Sequence, residues 1–105
     1  MRLEAVRRDD FARRLHASWC VRDHADAALT LDDVSPVAIT ARWESFALRF
    51  VGTSDAPLAQ GTYVLEDDEL GSLELFLVPL GPDADGGPRY ECVFNRAASD
   101  ANAGG

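Results

Sequence analysis

The clearest hydrophobic pattern of the chain lies between Pro57 and Asn95. It reads PLAQGTYVLEDDELGSLELFLVPLGPDADGGPRYECVFN, which is three apolar runs separated by two acidic segments that carry glycine. Apolar residues alternate with polar ones along the first and third runs, as they do in strands that bury one face. The pattern predicts three antiparallel strands joined by two hairpin loops.

The two loops define one common register. A turn at residues 67–71 sets Leu65 opposite Leu73, and a loop at residues 81–88 sets Leu75 opposite Phe94. Both pairings bring the same side chains to one face, and a shift of one residue would turn them all outward. These side chains are Tyr63, Leu65, Leu73, Leu75, Leu77, Tyr90, Cys92 and Phe94.

Earlier segments add further strands and one helix. Residues 42–51 alternate clearly, with Phe46, Leu48 and Phe50 on one face, while residues 25–34 alternate weakly. Trp19 and its neighbours favour a strand, and Pro36 interrupts the chain, so residues 34–41 are predicted to form a loop or a bulged edge. Asp9-Asp10 before FARRLHA predicts an N-cap and one or two helical turns, which place Phe11 and Leu15 on one side.

We therefore predict an all-β fold with about six strands and one short N-terminal helix. A small antiparallel barrel and a curved two-layer sheet both remain open, since either removes exposed strand edges. Residues 1–96 are predicted to form a single β domain, and residues 97–105 a small, polar, disordered tail. The predicted core contains Phe46, Leu48, Phe50, Tyr63, Leu65, Leu73, Leu75, Leu77, Tyr90 and Phe94.

The central strand of this meander is apolar on its second face as well. The predicted register places Phe76 opposite Thr62 on one side and opposite Val93 on the other. An apolar patch of this kind is covered by the N-terminal helix, through Phe11 and Leu15, or it is a contact surface for a partner or a second copy. The candidate partner-binding residues are Phe76, Val78, Val93, Thr62, Val64 and Trp43.

Charge and hydropathy exclude several classes of function. The formal net charge is −8, which argues against binding to nucleic acid or to an anionic membrane, and no apolar run is long enough to cross a bilayer. Residues 1–22 are nevertheless basic, with six arginines against three acidic residues. They form a solvated face or steer an acidic partner. We expect a cytoplasmic protein, with export as part of an assembly left open.

No segment has the spacing of a catalytic or cofactor motif. His16, Cys20 and His24 recur every four residues, but a strand at Trp19 would separate them. The segment at residues 83–87 begins like a calcium loop, and its twelfth position is Phe94 instead of a glutamate. The acidic tip at residues 66–69 is a solubilising turn, or it faces a cation or an arginine-rich partner. Cys20 and Cys92 are expected to be reduced, mostly buried and without metal. We expect no cofactor and no enzymatic activity.

The chain resembles a small bacterial domain family of unknown function. The resemblance rests on the run from Pro57 to Asn95, on the opening VRRDDFARRLHASWCV and on SFALRFVG. It covers roughly residues 9–95 and is carried by scaffold residues, namely Gly61, Gly71, Pro79, Tyr90, Phe94 and Asn95. This chain departs from the family at Cys92, where alanine is usual. Because the family is often encoded beside proteins with phage-tail-collar domains, the resemblance implies a link to tail-like fibres or their assembly.

Two functions from different classes follow from these observations. The first is a non-enzymatic interaction or assembly module, an accessory of a phage-tail-like or fibrous structure, with a tail-collar or fibre protein, or a second copy, as its partner. The alternative is a small-molecule-binding or enzymatic small β-barrel. Barrels of about six strands have interiors filled by side chains, which favours the first function.

Overall fold

A computed structural model describes residues 6–52, 58–81 and 87–97 of the chain. It contains a short helix α1 (Arg8–Ala12) and seven strands. The strands are β1 (Ser18–Val21), β2 (His24–Val34), β3 (Ala38–Thr40), β4 (Trp43–Gly52), β5 (Gly61–Asp67), β6 (Gly71–Leu80) and β7 (Arg89–Ala97). Within these ranges, no helix has the length and apolar character that crossing a membrane would require.

Six of the strands close into an antiparallel barrel. The order around the wall is β1, β2, β4, β7, β6 and β5, and β5 pairs again with β1. β3 is not part of this wall, since it pairs only with the first residues of β4 in a two-residue hairpin. The predicted all-β class is confirmed, and the barrel is the form that it takes.

The predicted register of β5 with β6 is confirmed, and that of β6 with β7 is confirmed only next to their loop, since the predicted pairs Leu77–Cys92 and Leu75–Phe94 are not among the paired residues. Leu65 pairs with Leu73 and Tyr63 pairs with Leu75 along β5 and β6. β6 and β7 pair through Val78 and Glu91, which is the predicted register of that hairpin. Gly71 begins β6 at a positive φ of 76°, a conformation that favours glycine, so it ends the hairpin turn without strain.

The interior of the barrel is filled by side chains. Nine of the ten predicted core residues are buried, and Tyr63 is partly buried against them. Further core residues that we did not predict come from the N-terminal segment, from β1 and β2, and from the residues before and after β5. They are Val6, Phe11, Trp19, Val21, Ala27, Leu29, Leu31, Val34, Leu58 and Leu70. Burial of this much apolar surface is the main stabilising contribution to the fold.

Each end of the barrel is closed differently. At what we call the helix end, Phe11 packs against Phe46 and Phe94, whose rings stack with their centroids 4.7 Å apart. At the opposite end, the backbone amide of Leu58 donates a 2.7 Å hydrogen bond to the buried hydroxyl of Tyr90. Phe11 and Leu58 are both buried, so each end carries a buried apolar side chain.

Several predicted boundaries were wrong. The helix begins at Arg8 with Arg7 as its N-cap, and it ends at Ala12, so Leu15 lies outside it and is exposed. Residues 34–41 were predicted as a loop or a bulged edge, and the edge is closer to the structure, since they contain the edge strand β3. Ala97, predicted as the first residue of the tail, is the last residue of β7, and the rest of that tail lies outside the described residues.

Candidate functional site

One seam of the barrel wall, between β6 and β7, is paired along only part of its length. Nine residue pairs join β4 to β7 and seven join β5 to β6, whereas only three join β6 to β7 in the described part of the chain. Those three lie next to the β6–β7 loop, and the last of them is Val78 with Glu91. Toward the helix end the two strands separate, and a groove lies between them.

This seam groove has a volume of about 470 Å³. Its outer rim is apolar, since Phe76 is 48% exposed and Val93 is 61% exposed. Inward-facing residues form its floor, so the groove reaches the surface of the core. The lining residues are Thr62, Glu74, Leu75, Phe76, Cys92, Val93, Phe94, Asn95 and Arg96.

Three of the six predicted contact residues line the seam groove. Thr62 pairs with Phe76 as predicted, and Val93 faces Phe76 from the other strand. Val64 and Val78 are half-buried on the same outer face and lie outside the groove lining. The predicted patch is therefore a groove with apolar walls, where a closed sheet surface was expected.

Trp43, the predicted rim residue, lies farther away. It pairs with Ala97 at the start of β4, and Val93 lies four residues before Ala97 on β7. Its indole is 54% exposed. Trp43 therefore belongs to the same end of the barrel as the groove and does not line it.

The alternative that the N-terminal helix covers the patch was wrong. Phe11 turns into the barrel, where its ring lies 5.4 Å from that of Phe94 and 6.2 Å from that of Trp19. Leu15 is 41% exposed and packs on neither wall of the groove. The helix closes the end of the barrel and leaves Phe76 and Val93 uncovered.

The floor of the groove carries a thiol. Burial raises the pKa of Cys92 to about 12. The backbone amide of Phe76 acts to lower this pKa, and the nearby Glu91 carboxylate acts to raise it. A thiol with such a pKa stays protonated at neutral pH and is a poor nucleophile. Both cysteines are free, and Cys20 is exposed on β1, where we had expected mostly buried thiols.

Arg96 closes the groove at the helix end. Its guanidinium bonds the carboxylate of Glu44 at 2.8 Å and the carbonyl oxygen of Val6 at 2.6 Å, and it lies over the stacked Phe46 and Phe94 rings. We did not predict this role, because Arg96 begins a small, polar stretch that resembles a tail. Its only signal in the sequence is its position two residues after Phe94.

Glu74 gives the groove its charge. The residue is exposed on β6 two positions from Phe76, and no described residue forms an ion pair with it. By contrast, the acidic tip of the β5–β6 hairpin is partly neutralised within the chain, since Glu66 pairs with Arg22, and Asp67 and Glu69 share Arg14. The basic N-terminal segment therefore meets an acidic hairpin of its own chain.

The described residues contain no group of three or more His, Cys, Asp or Glu side chains that would hold a metal ion. His16 lies in the turn before β1, Cys20 lies on β1 and His24 begins β2, so the three are on separate elements. The calcium-like segment at residues 83–87 lies outside the described residues apart from Gly87. The seam groove is a feature of the described residues that is suited to binding.

A family model described as a domain of unknown function (DUF6916) matches residues 6–94. The chain belongs to this family. No curated protein and no solved structure matches it.

The DUF6916 match includes most of the seam groove. It spans both walls as far as Phe94, and Asn95 and Arg96 lie just beyond it. The predicted resemblance to a small domain family of unknown function is confirmed at this level. The DUF6916 description names no function.

Proposed function

We propose that this protein is a non-enzymatic interaction module, and that the seam groove binds an extended segment of a protein partner. The observation that carries this proposal is the early end of the β6–β7 ladder, which leaves two strand edges facing each other across an apolar groove. An added strand would pair with these edges through main-chain hydrogen bonds, while its side chains contact Phe76 and Val93.

The chemistry of the groove supports an apolar segment with a basic residue beside it. Phe76 and Val93 offer apolar contact, and Glu74, which forms no ion pair with another described residue, offers one negative charge. Aromatic side chains at the centre of a contact surface are common binding hot spots. The net charge of −8 makes nucleic acid an unsuitable occupant.

We further propose that the partner is a component of a phage-tail-like or fibrous assembly, such as a tail-collar or fibre protein. This finer proposal is supported by the family resemblance and its genomic neighbourhood, and by a groove that suits strand addition. In this role the protein acts in the cytoplasm during assembly or is exported with the assembled fibre.

The alternative is a small-molecule site, which one observation favours. A volume of about 470 Å³ lies within the range of roughly 300–1,000 Å³ that ligand pockets occupy. However, such pockets are usually enclosed and contain several convergent polar groups, whereas this groove is open and its charged Arg96 is already bonded to Glu44 and Val6. The interaction module accounts for more of these features.

The test is a site-specific photo-crosslink in the native host. A photoreactive phenylalanine analogue at position 76 should capture a tail-collar or fibre protein, identified by mass spectrometry. The same analogue at position 15 is the matched control, because Leu15 is similarly exposed and lies outside the groove. Equal capture from both positions, or capture at position 76 of small metabolites alone, would contradict the proposal.

A further inference from the structure

The hairpin of β3 and the start of β4, residues 38–45, forms an arm at the edge of the barrel. Ala38 pairs with Ser45 and Thr40 pairs with Trp43, while the outer edge of β3 pairs with no strand in the described part of the chain. The arm carries two of the most exposed large apolar side chains, Ile39 at 65% and Trp43 at 54%. An apolar edge strand of this kind is a template for pairing with another chain.

The turn of this arm is strained. Ala41 and Arg42 both have positive φ, at 48° and 73°, and neither is glycine or asparagine. A two-residue hairpin turn with both residues in this region is usually built from Asn-Gly or similar pairs. Such strain persists where the surroundings or a function maintain it.

The arm and the seam groove are complementary in three respects. The groove lacks a strand, and β3 is a strand with a free edge. The groove is lined by Phe76 and Val93, and the arm presents Ile39. The groove holds the unpaired Glu74, and the tip of the arm holds Arg42, which likewise has no ion-pair partner among the described residues.

The two features also lie at the same end of the barrel. Ser45 pairs with Asn95, so the arm begins beside the part of β7 that lines the groove, with β7 between them. Two copies that meet at this end about a two-fold axis can each offer an arm to the groove of the other. A two-fold contact is closed and self-complementary, and it is the commonest symmetry of protein oligomers.

We infer that the seam groove binds the arm of a second copy of this chain in a reciprocal two-fold dimer, with Ile39 beside Phe76 and Arg42 beside Glu74. This inference rests on the proposed interaction module, and it gives the same groove a second copy as its occupant in place of a fibre protein. Because one edge of β3 is already paired with β4, the bound arm pairs through its outer edge with one edge of the open seam in each copy.

The test is a charge exchange measured by sedimentation equilibrium. The wild type should be a dimer of the 11.4 kDa chain. Glu74→Arg and Arg42→Glu should each weaken dimerisation about tenfold or more, since each sets like charges against each other. The double variant Glu74→Arg/Arg42→Glu should restore it to within about threefold, because a double-mutant cycle isolates the direct contact.

Matched variants separate this contact from general surface effects. Ile39→Glu should abolish the dimer, whereas Leu15→Glu, at an exposed apolar position away from both surfaces, should leave it unchanged. Thermal melts of every variant establish that the barrel is folded. A folded wild type that stays monomeric at all accessible concentrations would overturn the inference, as would a dimer that is indifferent to Glu74→Arg.

The two proposals fail differently. A monomer that still crosslinks to a fibre protein through position 76 contradicts the dimer and supports the interaction module. A dimer that responds to the charge exchange and captures only its own chain in the host supports this inference and contradicts the tail-fibre partner.

Discussion

Arg14 and Asp67 form a bidentate ion pair that joins the N-terminal segment to the β5–β6 hairpin. Nε of Arg14 lies 2.9 Å from one carboxylate oxygen of Asp67, and a terminal nitrogen lies 3.1 Å from the other. The Asp67 carboxylate also accepts hydrogen bonds from the backbone amides of Glu69 and Leu70, each 3.0 Å long. This buried carboxylate therefore orders the hairpin turn through its two amide hydrogen bonds and links it, through Arg14, to the segment before β1.

The first prediction concerns Asp67→Asn. The change removes the charge and one acceptor that the Arg14 guanidinium requires, and it should lower the free energy of unfolding by about 1–3 kcal/mol at pH 7. Chemical denaturation measures the loss. The control is Asp68→Asn, because Asp68 is the exposed neighbour, and an equal loss in both variants would show that the ion pair contributes nothing.

Because of the same carboxylate, the free energy of unfolding should depend on pH. Burial acts to raise the pKa of Asp67, but the Arg14 hydrogen bond and the amides of Leu70 and Glu69 outweigh it and hold that pKa below its ordinary value. A depressed pKa stabilises the fold above the ordinary value of about 3.9, and this stabilisation is lost as the pH falls below it. The stability difference between wild type and Asp67→Asn should therefore be full at pH 6 and should shrink as the pH falls toward 3. A difference that stays constant over this range would contradict the assignment.

The second prediction compares two adjacent residues of β6. Leu75 is 1% exposed and Phe76 is 48% exposed, so the two face opposite sides of the wall. Leu75→Ala should lower the free energy of unfolding by about 2–5 kcal/mol, while Phe76→Glu should change it by no more than about 0.5 kcal/mol. At a protein concentration where dimers are absent, a sharp fall in the melting temperature of Phe76→Glu would mean that another part of the same chain covers the groove.

The third prediction concerns the two thiols. Cys20 is exposed, and burial raises the pKa of Cys92 to about 12. An aromatic disulfide reagent at pH 8 should titrate one thiol in the native protein and a second only in denaturant. The variant Cys20→Ser should then show no rapid reaction, and rapid modification of Cys92 in that variant would show that the groove floor is open to reagents.

The fourth prediction concerns the arm turn. Replacing Ala41-Arg42 by Asn-Gly supplies residues that adopt positive φ readily, and it should raise the free energy of unfolding by about 1 kcal/mol. Denaturant unfolding of the wild type and of the Asn-Gly variant measures this difference, at a protein concentration where dimers are absent. Ala38→Gly within β3 is the control, where glycine should not stabilise. An unchanged or lower stability of the Asn-Gly variant would show that the turn is not strained.

The strands and their register were predictable because the alternation of apolar residues has a period of two. Leu65 and Leu73 bury only in one register, so the hairpin turn and the core pattern agree. The helix was harder to place. It has five residues, too few for a helical period to appear, and its N-cap is Arg7, which lies outside the usual set of capping residues.

The seam groove itself was not predictable from the pattern. Phe76 and Val93 are in register whether the strands pair there or separate, since the separation depends on how six short strands close into one wall. The closing role of Arg96 was missed for a related reason: its partners Glu44 and Val6 are brought to it only by the β4–β7 pairing and by the N-terminal segment. Local sequence predicts which side chains of a strand face the core much better than it predicts where two strands of a barrel stop pairing.

The β5–β6 hairpin is joined to its two neighbouring strands by few residue pairs, and this affects how easily the hairpin opens. Two residue pairs join β5 to β1 and three join β6 to β7, against nine between β4 and β7. The hairpin can therefore open as a cooperative unit at a lower free energy than the whole domain unfolds, and its amides would exchange hydrogen sooner than those of β4. A hairpin that detaches in this way exposes a vacant place in the wall, which the same hairpin of a neighbouring molecule fits. At high concentration or after mild acid treatment, exchange of whole hairpins between molecules becomes a route to interlocked species that are slow to separate.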